Sequence, residues 1–125
     1  MKAVIKSSDS NGNTNINRID YQQDNNNIYF IVMKILDCFG FCGENEILEI
    51  RLETLFEYVD KFIIIEGNKF FNGVSKKKLF NIENFKKYKS KIRYFFIENF
   101  PEHNGNNWIY ENYQRNQIKL GLNNL

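Results

Sequence analysis

The stretch Asp60-Lys-Phe-Ile-Ile-Ile-Glu66 constrains the fold more than any other part of this chain. Its four consecutive large apolar residues, 62–65, are too few for a helix and would leave neither face of a strand polar. Such a run reads as an interior strand of a parallel sheet, covered on both sides. Burying each of these side chains contributes roughly 1.5–3 kcal/mol. The run closes on a carboxylate, Glu66, and then Gly67. Ligands of open parallel sheets bind beyond the carboxyl ends of the strands. Glu66 therefore admits two readings, a ligand-reading group or a solvated strand-end acid.

The neighbouring segments supply the partners such a strand needs. Residues 28–41 contain a first strand, centred on 32–39, and Gly40 and Gly43 punctuate the loop after it. From Glu46 the apolar period becomes helical. Leu48, Leu52, Leu55 and Val59 share one face, widened by Ile47 and Phe56, with Asn45 as N-cap and the helix ending near 58–61. A loop with Phe70, Phe71 and Gly73 follows, then three lysines, 76–78. A short helix over 82–89 carries Ile82, Phe85 and Tyr88. Residues 91–98 form a third strand, ended by Pro101, and 108–120 read as a third helix. In that helix Trp108 reads as core and Gly121 as the C-cap. The order is β-α-β-α-β-α with a parallel, Rossmann-like α/β sheet and right-handed crossovers.

Composition narrows the rest. A chain of 125 residues is one domain at most. Residues 1–32 are rich in Asn, Ser, Asp and Gln, and read as a disordered, Asn-rich extension ahead of a domain over 33–125. A net charge of +2 is too small to argue for nucleic acid or an anionic membrane as partner, and neither is expected. The most apolar run, 28–39, is short and contains Lys34 and Asp37, so it is no membrane span. The N-terminus has no secretory h-region, which makes the expected location cytoplasmic. Cys38 and Cys42 accordingly read as reduced thiols, with His103 too distant in sequence to complete a zinc site.

The segments Lys34-Ile-Leu-Asp-Cys-Phe39, Glu44 and Leu48-Glu-Ile-Arg-Leu52 resemble the opening of glycosyltransferase family 17. The likeness continues through Val59-Asp60, residues 62–66, Lys69, Phe71 and Gly73. It resumes at Lys91-Ile92, at Glu111-Asn-Tyr-Gln-Arg-Asn116, at Ile118 and at Gly121-Leu122. The family includes the enzyme that adds the bisecting N-acetylglucosamine to N-glycans. The resemblance implies the N-terminal half of a GT-A-type fold, binding a UDP-N-acetylglucosamine-like nucleotide sugar and serving a glycan acceptor. It also implies a divalent metal, Mn or Mg, that stabilises the departing diphosphate. No Asp-x-Asp occurs in this chain, so the metal's ligands are expected outside it. On this reading the chain is incomplete and weak or inactive alone, drawing the acidic segment from a downstream continuation or a partner chain. The alternative is a non-catalytic Rossmann-like module that binds a nucleotide or another protein.

The resemblance and the strand ends together nominate the site. Donor-binding candidates are Asp37 and Cys38 at the end of the first strand, Glu66, Lys69, and the mid-helix cluster Gln114, Arg115 and Asn116. Large polar groups beside apolar Tyr113 and Ile118 are costly if buried without partners, and Arg115 carries donors suited to phosphate. Glu44, Arg51, Phe71 and Gly73 are structural or loop positions, with Arg51 turned into the fold. The catalytic residue is left open. The expected convergence is of Asp37, Glu66 and 114–116 on one rim.

Overall fold

The structure, a computed structural model, describes residues 2–8, 14–24 and 27–123. Three strands come first: β1 (Lys2–Ser8), β2 (Thr14–Asp24) and β3 (Asn27–Val32), joined as an antiparallel sheet in the order β1-β2-β3. Ile19 of β2 stands opposite Val32 of β3, and Asp24 opposite Asn27. This differs from the disordered extension expected there. The composition is polar, but 28–32 is an unbroken run of β-branched and aromatic residues, which suits a strand. The remaining residues of that stretch, 1, 9–13 and 25–26, lie outside those described.

The single first strand expected over 32–39 is also divided. β3 stops at Val32, and β4 (Leu36–Gly40) begins a separate parallel sheet with β5 (Lys61–Gly67) and β6 (Ile92–Ile97), in the order β4-β5-β6. Asp37 pairs with Phe62, and Phe62 with Ile92. Asp60 starts the β4–β5 ladder, donating its N–H to the Ile35 carbonyl and accepting the Ile35 N–H on Oδ2, both at 2.7 Å.

The interior strand behaves as its sequence demands, with residues 62–65 wholly buried. Phe62 and Ile64 face α1 (Asn45–Leu55) and the segment Ile82–Lys91. Ile63 and Ile65 face α2 (Asn107–Asn116) and the turn Gln117–Leu122. Both crossovers thus lie on one face, and the segment after β6 covers the other. From β4 onward strands alternate with helical segments, the α/β arrangement of a Rossmann-like sheet.

Several local expectations shift. The Ile82–Lys91 segment is a 3-10 helix interrupted at Phe85, not an α-helix. Its contacts at Ile82, Phe85 and Tyr88 recur every third residue, the repeat of a 3-10 turn. Glu44, not Asn45, is the N-cap of α1, and the α-helix stops at Leu55. Ile47 is 65 % exposed, so the buried face of α1 is narrower than the sequence suggested. Trp108 is 63 % exposed; Tyr110, two residues on, is the buried aromatic of α2. Gly121 does not cap an α-helix. It is buried inside the final 3-10 turn, where a Cβ would stand 2.3 Å from Ile63 Cγ2. Among the described residues, no helix is long and apolar enough to cross a membrane.

Candidate functional site

β4 pairs with β5 alone among the described strands, and around its free edge and carboxyl end lies a cleft of about 380 Å³. Residues 38–42 and Glu44 form one side. Glu111, Gln114, Arg115 and Ile118 form the other, and the ring of Phe71 reaches in from the β5–β6 crossover. Both sheet faces contribute, because Cys38 and Phe39 alternate across β4.

Gln114 sits at the base, 5 % exposed. Its Nε2 donates to the Ile65 carbonyl at 3.1 Å and fills the space a side chain at Gly40 would need, while at Gly67 the Phe100 ring and then Gln114 Oε1 leave no room for one. Arg115 stands at the rim and pairs with Glu111 at 2.8 Å, one helical turn earlier. Glu44 turns back onto its own loop, accepting the Cys42 N–H on both oxygens at 3.2 Å. Both thiols are pushed up, Cys38 by burial and then the charge of Asp37. For Cys42, burial is reinforced by Glu44 and Glu66 and opposed by Lys76. Neither is the lowered thiol of a nucleophile.

Of the residues singled out from sequence, Cys38, Glu44, Phe71, Gln114 and Arg115 meet around this cleft. The others do not. Asp37 is the second residue of β4, because the strand runs on to Gly40. Its carboxylate takes a two-pronged bond from Arg51, Nε to Oδ2 and Nη2 to Oδ1, both at 2.6 Å. Arg51 also lies 4.1 Å over the Phe39 ring, so it ties α1 to β4 while remaining 41 % exposed rather than enclosed. Lys69 donates to Ser75 Oγ at 2.8 Å across the neck of its loop. Gly73 turns the loop tip at φ +88°, and Asn116 is exposed at the end of α2.

Glu66 departs most from expectation. It has no exposed surface and accepts four bonds: Lys76 Nζ at 2.6 Å, Leu79 N at 2.7 Å, Phe80 N at 3.0 Å and Tyr94 Oη at 2.7 Å. Burial by itself would raise its pKa. Lys76, Tyr94 and the two backbone donors outweigh burial and hold the carboxyl below its ordinary value. Glu66 therefore anchors the returning loop, with both oxygens bonded within the chain. The expected single rim of Asp37, Glu66 and 114–116 is replaced by a cleft that keeps only Gln114 and Arg115 of that set.

Glu111, Phe39 and His103 were not among the site residues nominated from sequence. Glu111 was legible only as the family-like start of the Glu111-Asn116 segment. His103 Nε2 lies 2.7 Å from the Phe71 carbonyl and 3.0 Å from Asn107 Oδ1. The divalent metal implied by the resemblance finds no fit: no grouping of three or more His, Cys, Asp or Glu among the described residues could hold one.

No curated protein and no solved structure matches the chain. The model of one family does, over residues 19–124, a span that takes in the parallel sheet, both α-helices and the whole cleft. The chain belongs to glycosyltransferase family 17.

Proposed function

We propose that the cleft at the carboxyl end of β4 receives the nucleoside end of a nucleotide-sugar donor. In this reading the chain takes part in transfer of N-acetylglucosamine, or a related sugar, from a UDP-type donor to a glycan acceptor. The position of the cleft carries the proposal. The two crossovers lie on one sheet face and α2 on the other, and a chain that changes face in this way makes its switch point beside the first strand, where doubly wound folds bind nucleotides.

The lining favours a nucleoside over a phosphate. Phe39, Phe71 and Ile118 offer apolar surface to a planar base, and Glu44 and Glu111 offer acceptors to ribose hydroxyls. The charged groups are two carboxylates and one guanidinium, the latter already paired with Glu111. A diphosphate gains little there, so it projects out of the cleft. No step is assigned to a metal.

Calorimetric titration with uridine, UDP and UDP-N-acetylglucosamine tests this. The expected result is that uridine keeps most of the affinity of UDP, and that Glu111→Gln, by freeing Arg115, strengthens UDP more than uridine. Absence of binding by all three, or binding that both Glu44→Gln and Glu111→Gln leave unchanged, overturns the assignment.

A further inference from the structure

The chain's single histidine lies outside the cleft but bonds to the two segments that face each other across it. Phe71 belongs to the loop between β5 and the 3-10 segment. That loop is folded on itself by Phe70 N–H to the Val74 carbonyl at 2.8 Å and Gly73 N–H to the Phe70 carbonyl at 2.9 Å. Its root is fixed by Glu66, but its tip projects, with Phe70 39 %, Phe71 38 % and Val74 55 % exposed. The opposite wall is α2, whose first residue is Asn107. Between them stands His103. The Phe71 carbonyl can only accept, so His103 Nε2 carries a proton and shares it with Asn107 Oδ1.

Two further contacts hold the ring in place. It meets Tyr110 edge-on at 5.0 Å between centroids. The glycine tip of the loop lies against it, so close that a Cβ added at Gly73 would stand 3.2 Å from His103 Cγ. The backbone supports the same placement. Asn104 and Gly105 both take positive φ, 52° and 74°, and the Asn106 N–H returns to the His103 carbonyl at 3.0 Å. This tight turn leads directly into the N-cap of α2.

We propose that His103 is a positioning residue for the cleft: its one Nε2 proton clamps the Phe71 loop to the start of α2 and sets the Phe71 ring as the stacking face for the donor's base. The proposal rests on the nucleotide reading given above. His103 itself touches no ligand; it acts through the Phe71 backbone.

Two measurements on the full chain separate the clamp from its use. Hydrogen exchange at the Phe70 and Gly73 amides reads the clamp without ligand. His103→Ala speeds both, and His103→Gln, which keeps an N–H donor, restores protection. Unchanged exchange in His103→Ala overturns the clamp. UDP titration reads its use. Phe71→Ala weakens binding about fivefold or more, His103→Ala by a comparable factor, and the double variant by no more than either alone. His103→Gln stays close to the unsubstituted chain. If His103→Ala loosens the loop yet binds UDP normally while Phe71→Ala does not, the positioning role is wrong and the nucleotide reading stands. If the unsubstituted chain fails to bind UDP, uridine and UDP-N-acetylglucosamine alike, the nucleotide reading falls and takes the stacking role with it.

Discussion

The two faces of the parallel sheet hold one buried polar residue each on the sheet or the helix over it, Glu66 and Gln114, and these are placed in opposite ways. Under α1 the face is largely aromatic: Phe41, Phe62, Phe80, Phe85 and Tyr88 pack in one cluster, with Phe80 stacked on Tyr94 at 4.5 Å. Glu66 lies inside that layer with all its partners supplied by the chain. Under α2 the face is mainly aliphatic, and Gln114 bonds the Ile65 carbonyl at the wall of an open cleft. A carboxylate at a strand's carboxyl end is therefore not by itself a ligand group. What decides is whether the following loop folds over it.

The contrast breaks most visibly at Glu66. Glu66→Ala would leave the Lys76 ammonium, whose side chain is 3 % exposed, buried without a counter-charge, along with two backbone donors. Removing one partner of such a pair costs about 3–5 kcal/mol, read as a lower denaturation midpoint. Uridine affinity in whatever fraction stays folded should change little, because Glu66 does not line the cleft.

The same group gives the face under α1 an acid sensitivity. Its folded pKa lies below the ordinary value of 4.5, so its stabilisation is complete above that value. It is lost as the pH falls through the lower folded value. Denaturation midpoints measured from pH 6 downward should fall more steeply for the unsubstituted chain than for Glu66→Gln (about one carboxyl's worth of linkage). Parallel curves would show that Glu66 is not the group responsible.

Gln114→Leu sharpens the comparison at the smaller end. It preserves bulk and removes one of the two bonds on the Ile65 carbonyl, which keeps the Phe41 N–H at 2.9 Å, for a loss of about 0.5–1.5 kcal/mol in stability. Here, unlike at Glu66, binding should suffer as well, because the amide belongs to the cleft wall. A Gln114→Leu chain that binds uridine as before would remove Gln114 from the site.

The sheet was legible because runs such as 62–65 and 92–97 leave a chain few alternatives. The site was legible in part. Gln114 and Arg115 stood out as large polar residues within an apolar helical pattern, and Cys38 followed from its place on the first strand. Glu66 was misread because its four partners come from residues 76, 79, 80 and 94, and no local pattern announces those bonds. Asp37 was misplaced by the position of the strand's end, the least secure feature of any pattern-based reading. The 3-10 segment was taken for an α-helix because three residues spaced by three fit either winding over so short a length.

The far end of α1 carries a further consequence. That helix has no basic residue in its last turn. Lys91 instead arrives from the threshold of β6, its Nζ meeting the Phe56 carbonyl at 2.5 Å and the Val59 carbonyl at 2.9 Å. Helix termini normally draw such a cation from their own sequence. Here the first crossover lacks autonomy: its carboxyl end is neutralised only after the chain has passed through the second. The two βαβ halves of the sheet should accordingly melt as one cooperative unit, with no stage at which the first stands finished without the other.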